Sequence, residues 1–195
     1  MGPMFPAITL TDSDGFTEEI WAGERMNMMT DGTGSSLGQA MTSKGRKVNV
    51  MKATRSGVMK WQYFCHGHSL GTYRRFGYSV ISGVHILFAL QDDYVEFGAR
   101  QTVLGAMQLL KVGDIVSFEE LSGKIVHSAI VSSIDINPSD PLRPIQFAEI
   151  ILSTKNNYDA VCLQSILAVR GVYPEAPKMR FWRDKFTCFD DTMQQ

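Results

Sequence analysis

Two apolar runs decide the fold, Gly113-Asp-Ile-Val-Ser-Phe118 and Lys124-Ile-Val-His-Ser-Ala-Ile-Val-Ser-Ser-Ile134. Both carry Ile and Val, which favour strands, and the segment between them, Glu119 to Gly123, has the composition of a turn. A third run, Ile145 to Ser153, follows a stretch with three prolines in eight residues, which cannot join a strand ladder. Three successive strands with short links predict an antiparallel meander.

The segments on either side of the meander predict helices and a few further strands. Gly98 to Leu110 and Tyr158 to Val169 have helical spacing, whereas Gly83 to Leu90 fits either a helix or a strand. Helices followed by a small antiparallel sheet predict an α+β fold. The remaining expectations are strands at Ala7–Thr11, Lys47–Met51 and Lys178–Arg183, and a loop or short helix at Thr30–Lys47.

A cysteine lies where a buried segment is expected to turn into a helix. Val58 to Phe64 is mostly apolar, Cys65 follows at once, and Thr72 to Ile81 has helical spacing. The first turn of a helix offers unpaired N–H groups and the positive end of the helix dipole, and both favour thiolate over thiol. His127 in the second predicted strand supplies the imidazole that a thiol nucleophile needs, so the two residues predict a Cys–His hydrolase site.

Composition excludes several other classes of protein. The chain has 195 residues, a net charge of -1 and no basic block, so a nucleic-acid partner has no electrostatic support. Its apolar runs are shorter than a membrane span, and its start lacks the basic and apolar regions of a signal peptide. Three cysteines without a C-x-x-C pair predict neither a disulfide framework nor a zinc site, and no cofactor is expected.

The run from Leu110 to Phe118 and, after a turn, the run Val126-His127-Ser-Ala-Ile-Val131 resemble the NlpC-like papain-fold cysteine peptidases and amidases. In that family a Gly-Asp-apolar-apolar-x-Phe strand precedes a His-x-x-Ile strand, and a Cys at a helix start lies upstream. The resemblance covers Lys60 to Ser153. It implies Cys65 as nucleophile, His127 as base and an oxyanion site near the Cys65 backbone N–H. Family members cleave amide bonds, often in peptidoglycan stem peptides.

The chain departs from the family pattern at two places. Phe64-Cys65-His66-Gly67 stands where the family usually has Asp-Cys-Ser-Gly, and the polar residue that commonly follows on the next strand is missing. Pairing the strands about a loop centred near Asp140 places Ser153 opposite His127. Ser153 is therefore the first candidate for the residue that orients the imidazole. Thr154 or Asn156 could take its place, as could Glu149 if the loop is bulged.

Three aromatic side chains near the nucleophile are candidates for contact with substrate. His66 and His68 flank Cys65 closely, and Trp61 precedes it. Ordinary roles compete with this one, since the histidines can bond locally at a helix start and Trp61 can belong to the core. Metal binding would need further ligands, so no metal is expected.

A second motif, Gly67-His68-Ser69-Leu70-Gly71, fits the Gly-x-Ser-x-Gly elbow of α/β-hydrolases. In that interpretation Ser69 is the nucleophile, His127 the base, and Asp92, Asp93 or Asp114 the acid. The elbow fold needs parallel βα units before and after the motif, and the sequence lacks that alternation. The Cys–His pair would also serve deamidation or acyl transfer on a host protein or lipid, and a non-catalytic interaction domain could retain the same fold.

The sequence predicts a single papain-like domain over 1–195, in which the nucleophile helix packs on the small antiparallel sheet. It comprises an N-terminal extension at 1–57, a catalytic core at 58–153, and a C-terminal helix and strand at 154–195. Peptide or peptidoglycan is the expected substrate. Manufacture in the cytoplasm without a signal peptide also fits a toxin delivered by a contact-dependent system, such as type VI, with a cognate immunity protein.

Overall fold

A computed structural model describes residues 6–11, 17–21, 25–26, 35–53, 65–70, 80–81, 83–99, 102–136, 140, 143–156 and 160–185. It has antiparallel sheets and a few short helices, so the protein belongs to the α+β class. The chain groups into two compact units. The first unit comprises 1–92 with 155–160, and the second comprises 93–154 with 161–195.

The first unit is built on a sheet that has six strands among the described residues. They are β1 (Pro6–Thr11), β2 (Thr17–Trp21), β3 (Arg25–Met26), β4 (Ser35–Met41), β5 (Lys47–Ala53) and β6 (Val80–Ile81). The order is β1-β2-β4-β5-β6, with β3 also paired to β4, and each neighbouring pair is antiparallel.

Two helices accompany this first sheet. Helix α1 (Cys65–Ser69) contacts β6, and helix α2 (Gly83–Asp93) ends at the boundary of the unit. Ile86, Ala89 and Leu90 of α2 are buried, which is the i, i+3, i+4 spacing of one helix face. Gly83 to Leu90, for which the sequence left helix and strand open, is thus helical.

The second unit contains a sheet of six described strands in the order β11-β10-β9-β8-β12-β7. They are β7 (Tyr94–Phe97), β8 (Ile115–Glu119), β9 (Ile125–Ile134), β10 (Ile150–Lys155), β11 (Val161–Ser165) and β12 (Lys178–Asp184). The antiparallel pairings of β8 with β9 and of β9 with β10 confirm the predicted meander. The unit also contains helices α3 (Val103–Met107) and α4 (Ile166–Val172) and a short 3-10 helix at Phe147–Glu149.

One face of the second sheet forms a hydrophobic core with both helices. Val116 and Phe118 from β8, Ala129 and Val131 from β9, and Leu152 from β10 are all fully buried. The helices add further buried residues, namely Ala106, Met107, Ile166 and Val169. Because strand side chains alternate between faces, this core also fixes which side of the sheet each polar residue of β8 and β9 occupies.

Several predicted segments differ from the observed ones. Thr30–Lys47, predicted as a loop or short helix, contains β4, and Tyr158–Val169, predicted as one helix, divides into β11 and the start of α4. The third strand of the meander begins at Ile150 rather than Ile145, after the 3-10 helix. Helix α3 occupies only five residues of Gly98–Leu110. Val80–Ile81, at the end of the predicted nucleophile helix, is a strand, and 71–79 lies outside the described residues.

The segments predicted for the domain have the following content. The N-terminal 1–57 holds β1 to β5, and 154–195 holds α4 and β12 together with β11. Val58 to Phe64 lies outside the described residues. The single papain-like domain with a catalytic core at 58–153 stays a prediction.

Candidate active site

Cys65 is the first residue of α1, as the sequence predicts. Its side chain is half-buried, and its Sγ lies 3.6 Å from Nδ1 of His66. This distance is within the range of a hydrogen bond to sulfur. The imidazole of His66 therefore contacts the Cys65 thiol directly. The sequence predicts contact with substrate for His66, not this contact with the thiol.

The other residues of α1 are mostly buried. His66 is 6 % exposed and Ser69 is 1 % exposed, while His68 is half-buried. Trp61, the third residue predicted to contact substrate, lies outside the described residues. The substrate-binding roles of these side chains stay predictions.

The position of Ser69 differs from that of an elbow serine. A nucleophile elbow holds its serine on a sharp turn between a strand and a helix. Ser69 is instead the last residue of α1, and its hydroxyl donates to the carbonyl oxygen of His66 at 3.2 Å. The sheets of both units are antiparallel where their register is described, whereas an α/β-hydrolase needs a parallel sheet. These observations do not favour the serine interpretation.

His127 lies in β9 of the second unit and is fully buried. It pairs with Phe118 of β8, and their ring centroids are 5.8 Å apart. Residues two apart in a strand share a face, so the His127 side chain lies on the same face as Ala129 and Val131, which is the face that carries the core. A buried polar side chain needs hydrogen bonds, so the contacts of this imidazole are informative.

Thr154 of β10 is the side chain that bonds the imidazole of His127. Its Oγ1 lies 2.6 Å from Nε2 of His127, and both groups are fully buried. Thr154 was the second candidate after Ser153 in the sequence analysis, and the register explains the difference. Ser153 pairs with Ile130 rather than with His127, because the pairing of β9 with β10 is centred near residue 142 and not near Asp140.

The predicted pairing of Ser153 with His127 is therefore wrong. Successive side chains of a strand point to opposite faces, so Ser153 and Thr154 cannot both reach the face that His127 occupies. Thr154 reaches it as a diagonal neighbour across the β9–β10 pair. Asn156, the third candidate, belongs to the first unit.

One aromatic neighbour of the imidazole could not be predicted from the sequence. Tyr173 follows α4, and its ring stacks on the His127 ring with centroids 4.3 Å apart and planes inclined by 17°. No motif marks Tyr173, since it lies 46 positions after His127 and only the fold brings the two together. The imidazole is thus bonded at its edge by Thr154 and covered on one face by Tyr173.

A separate polar cluster lies on the other face of the same sheet. Nε1 of Trp182 donates to Oγ of Ser117 at 2.9 Å, and this hydroxyl donates to Glu119, also at 2.9 Å. Nε of Arg180 donates to the same Glu119 oxygen at 2.7 Å. Burial acts to lower the pKa of Arg180, but Glu119 and Glu96 outweigh it, and the net effect raises that pKa. Arg180 therefore carries its charge throughout the accessible pH range.

The Gly-Asp motif that contributed to the family resemblance has a structural role. Gly113 has a φ of 93°, which glycine adopts without strain, in the turn before β8. Oδ2 of Asp114 accepts the Lys111 backbone N–H at 2.7 Å, and Arg183 binds both carboxylate oxygens. Asp114, one of the acids in the serine interpretation, thus closes a turn and pairs with β12.

The predicted site residues form two groups, one in each unit. Cys65 contacts His66 in the first unit, and His127 contacts Thr154 in the second. Since Cys65 and His127 belong to different units, their pairing stays a prediction. Among the described residues, no three His, Cys, Asp or Glu side chains form a group that could hold a metal ion. No helix in the described part of the chain is long and apolar enough to cross a membrane.

Comparison of the chain with protein-family models, curated proteins and solved structures finds no match in any of the three.

Proposed function

We propose that the chain is a papain-like, NlpC-like cysteine hydrolase that cleaves amide bonds, with Cys65 as nucleophile and His127 as base. The observation that carries the proposal is the hydrogen bond between the buried His127 and Thr154 at 2.6 Å. A general base needs an imidazole held in one orientation, and a third polar group that bonds one ring nitrogen provides this. The start of α1 at Cys65 adds support, because thiolates are favoured at helix N-termini.

The contact with Thr154 also divides the roles of the two ring nitrogens. Nε2 of His127 bonds the Thr154 hydroxyl, so proton exchange with thiol, leaving group and water is assigned to Nδ1. When the ring becomes an imidazolium, its Nε2–H donates to the threonine oxygen. A neutral hydroxyl orients this cation but stabilises its charge less than a carboxylate would.

The proposed reaction has two steps. In the first, the Cys65 thiolate forms a bond to the amide carbonyl carbon, the carbon–nitrogen bond breaks, and the His127 imidazolium gives its proton to the departing amine. In the second, His127 takes a proton from water as the water oxygen attacks the thioester. The carbon–sulfur bond then breaks, which releases a carboxylic acid and restores the thiolate and the imidazolium.

We propose a peptidoglycan stem peptide as the substrate, and delivery by a contact-dependent secretion system with a cognate immunity protein as the setting. Both follow from the family resemblance of the Gly-Asp strand and the His strand. The same Cys–His pair supports deamidation or acyl transfer on a host protein or lipid as a second candidate. These reactions share the thioester intermediate and differ only in the bond attacked and in the acceptor.

A substitution series with a matched cysteine tests the nucleophile. Cys65 and Cys162 are both half-buried, so Cys162→Ala controls for the loss of a cysteine side chain. We expect Cys65→Ala to lower the rate of peptidoglycan fragment release by a factor of about 1,000 or more, because the covalent step is lost. Cys162→Ala and Ser69→Ala should retain most of the activity. Loss of activity in Ser69→Ala with activity retained in Cys65→Ala would contradict the proposal.

Thiol labelling separates the hydrolase from a non-catalytic domain. At a pH of about 6 an ordinary thiol, with a pKa of about 8.5, is almost wholly protonated and reacts slowly with iodoacetamide. We expect Cys65 to be alkylated at this pH and Cys162 to be protected, and we expect His127→Ala to move Cys65 labelling to higher pH. Equal labelling of both cysteines, unchanged by His127→Ala, would favour the interaction domain.

A further inference from the structure

We propose that Tyr173 is a positioning residue whose π face stabilises the protonated form of His127, supplying part of what a carboxylate supplies in other Cys–His sites. The inference deepens the proposed function and rests on it for the catalytic consequence alone. The stacked pair at 4.3 Å, with planes inclined by only 17°, carries it. A cation stacked on an aromatic ring is attracted by the negative face of the ring, and the attraction grows where water is excluded.

The environment of the imidazole makes this contribution significant. Phe118 from β8, Thr154 from β10 and Tyr173 after α4 contact the ring, and each of these side chains is uncharged at neutral pH. His127 itself is fully buried, and burial disfavours the charged imidazolium. An imidazolium at this position needs neighbours that offset the cost of burying its charge, and the Thr154 hydroxyl offers only a dipole.

The two aromatic neighbours differ in geometry. Phe118 is inclined by 46° to the imidazole with centroids 5.8 Å apart, whereas Tyr173 is nearly parallel and 1.5 Å closer. A nearly parallel ring presents its π face to the whole imidazole and blocks rotation out of the plane. Thr154 fixes the ring within that plane, so the two contacts together leave one orientation in which Nδ1 can exchange a proton.

The chain position of Tyr173 holds it in this place. It directly follows the last residue of α4, and its carbonyl oxygen accepts the Ala176 N–H at 3.0 Å in the turn that leads to β12. Tyr173 also packs against the hydrophobic core of the unit. The end of α4, the turn before β12 and the core contacts therefore hold Tyr173 in place, as a positioning residue requires.

The test compares Tyr173→Leu with Tyr173→Phe in the full chain. Leucine fills much of the space without a π face, whereas phenylalanine keeps the face and loses the hydroxyl. In a pH titration followed by NMR of the His127 ring, Tyr173→Leu should move the midpoint to lower pH by about half a unit. Tyr173→Phe should leave the midpoint near that of the unsubstituted chain. A merely structural role predicts the opposite sign for leucine, because water entering the vacated space would favour the imidazolium.

Phe97→Leu is the matched control for the loss of an aromatic ring. Phe97 packs against the same core and stacks on Phe181 with centroids 6.0 Å apart. It should lower the melting temperature and leave the His127 midpoint unchanged. Three results would each overturn the inference. They are an equal shift of the His127 midpoint in Phe97→Leu, no shift in Tyr173→Leu, and a shift in Tyr173→Phe as large as that in Tyr173→Leu.

The kinetic measurement separates this inference from the proposed function. Tyr173→Leu should lower kcat by about threefold with KM unchanged, and Tyr173→Phe should restore it. If the His127 midpoint shifts as expected but Cys65→Ala leaves all activity in place, the stacking inference stands and the hydrolase fails. If Cys65→Ala abolishes activity but Tyr173→Leu changes neither the midpoint nor kcat, the hydrolase stands and the stacking inference fails.

Discussion

In each of the two compact units an arginine binds both carboxylate oxygens of a buried aspartate. The two ion pairs differ in how exposed the arginine is to solvent. In the first unit Arg46 binds both oxygens of Asp92 at 2.7 Å. In the second unit Arg183 binds both oxygens of Asp114 at 2.8 and 2.7 Å. The two units therefore invite a direct comparison of the same ion pair in two environments.

The clamp in the first unit, formed by Arg46 and Asp92, joins the β4–β5 turn to the end of α2. Arg46 also donates to the carbonyl oxygen of Phe88 at 3.1 Å, and its guanidinium lies 4.7 Å above the Phe88 ring. Thr42 donates to Asp92 at 2.6 Å. A cation at a helix C-terminus bonds free carbonyls and is favoured by the helix dipole, so the clamp stabilises the end of α2 as well as the turn.

The clamp in the second unit, formed by Arg183 and Asp114, joins β12 to the turn before β8. Arg183 donates to the carbonyl oxygen of Leu109 at 2.7 Å, and its guanidinium lies 4.8 Å above the Phe97 ring. The Asp92 and Asp114 side chains are equally buried at 3 % exposure, but the arginines differ, with Arg46 at 37 % and Arg183 at 18 %. Solvent screens the first clamp more than the second, so equal geometry does not imply equal energy.

The largest loss of stability is expected when Asp114 loses its charge. Asp114→Asn keeps the side-chain volume and an oxygen that can accept the Lys111 N–H, but it leaves Arg183 without its counter-ion. We expect the free energy of unfolding to fall by about 3 kcal/mol, because removing one partner of a largely buried pair leaves a desolvated charge. Urea unfolding measures this change. Asp135→Asn, at an exposed aspartate, is the control and should change stability by less than about 0.5 kcal/mol.

The same substitution in the first unit should cost less. Asp92→Asn is expected to lower the free energy of unfolding by about 1 to 2 kcal/mol, because water can solvate the guanidinium of Arg46 once its partner is neutral. Double-mutant cycles of Asp92 with Arg46 and of Asp114 with Arg183 give the two coupling energies directly. A larger coupling energy in the first unit would show that exposure of the arginine does not set the strength of these clamps.

The first clamp also predicts how stability depends on pH. The hydrogen bond from Arg46 lowers the pKa of Asp92 most, burial opposes it, and the bond from Thr42 adds to the lowering, so that the pKa falls below its ordinary value of 3.8. A carboxyl whose pKa is lower in the folded state contributes its full stability above the unfolded value. That contribution is lost as pH falls through the folded value.

The unsubstituted chain should therefore lose stability below pH 3.8 partly through Asp92. Unfolding by urea at a series of acid pH values should show a shallower decline for Asp92→Asn than for the unsubstituted chain. Lys44→Gln should change this decline less than Asp92→Asn does, since Lys44 is the smallest of the causes that lower the pKa of Asp92 and its side chain is 64 % exposed. Parallel pH curves for the chain and Asp92→Asn would exclude a contribution from this carboxyl.

The part of the fold that could be predicted is the part built from local signals. The β8–β9–β10 meander follows from strand-like composition interrupted by turn residues, and Gly113 marks the turn because its φ of 93° favours glycine. The helical position of Cys65 follows from the small polar residues after a mostly apolar run. These features need only neighbours along the chain, so the sequence reveals them.

The parts that could not be predicted depend on distant partners. Val161–Ser165 has helical spacing into α4, yet it forms β11 because a strand can be completed beside β10, and tertiary context outweighs propensity. Strand β12 lies between β7 and β8, a pairing that spans more than half of the second unit. The contact of Tyr173 with His127 and the bond of His127 to Thr154 depend on the long-range arrangement and on a one-residue register shift between β9 and β10.

The smallest expected change in stability comes from the hydroxyl that bonds His127. Thr154→Val keeps the shape of the side chain and removes the hydrogen bond to Nε2, so stability should fall by only about 1 kcal/mol. Activity should fall by about fivefold if the bond orients the base, because the same energy is then lost in the transition state. Thr154→Ser, which keeps a hydroxyl, should retain most of the activity. Ser153→Ala is the matched control from the neighbouring position, which pairs with Ile130 and faces the other side of the sheet. If Ser153→Ala lowers activity more than Thr154→Val, Thr154 is not the residue that orients the imidazole, and the register of β10 in the active protein differs from the one described.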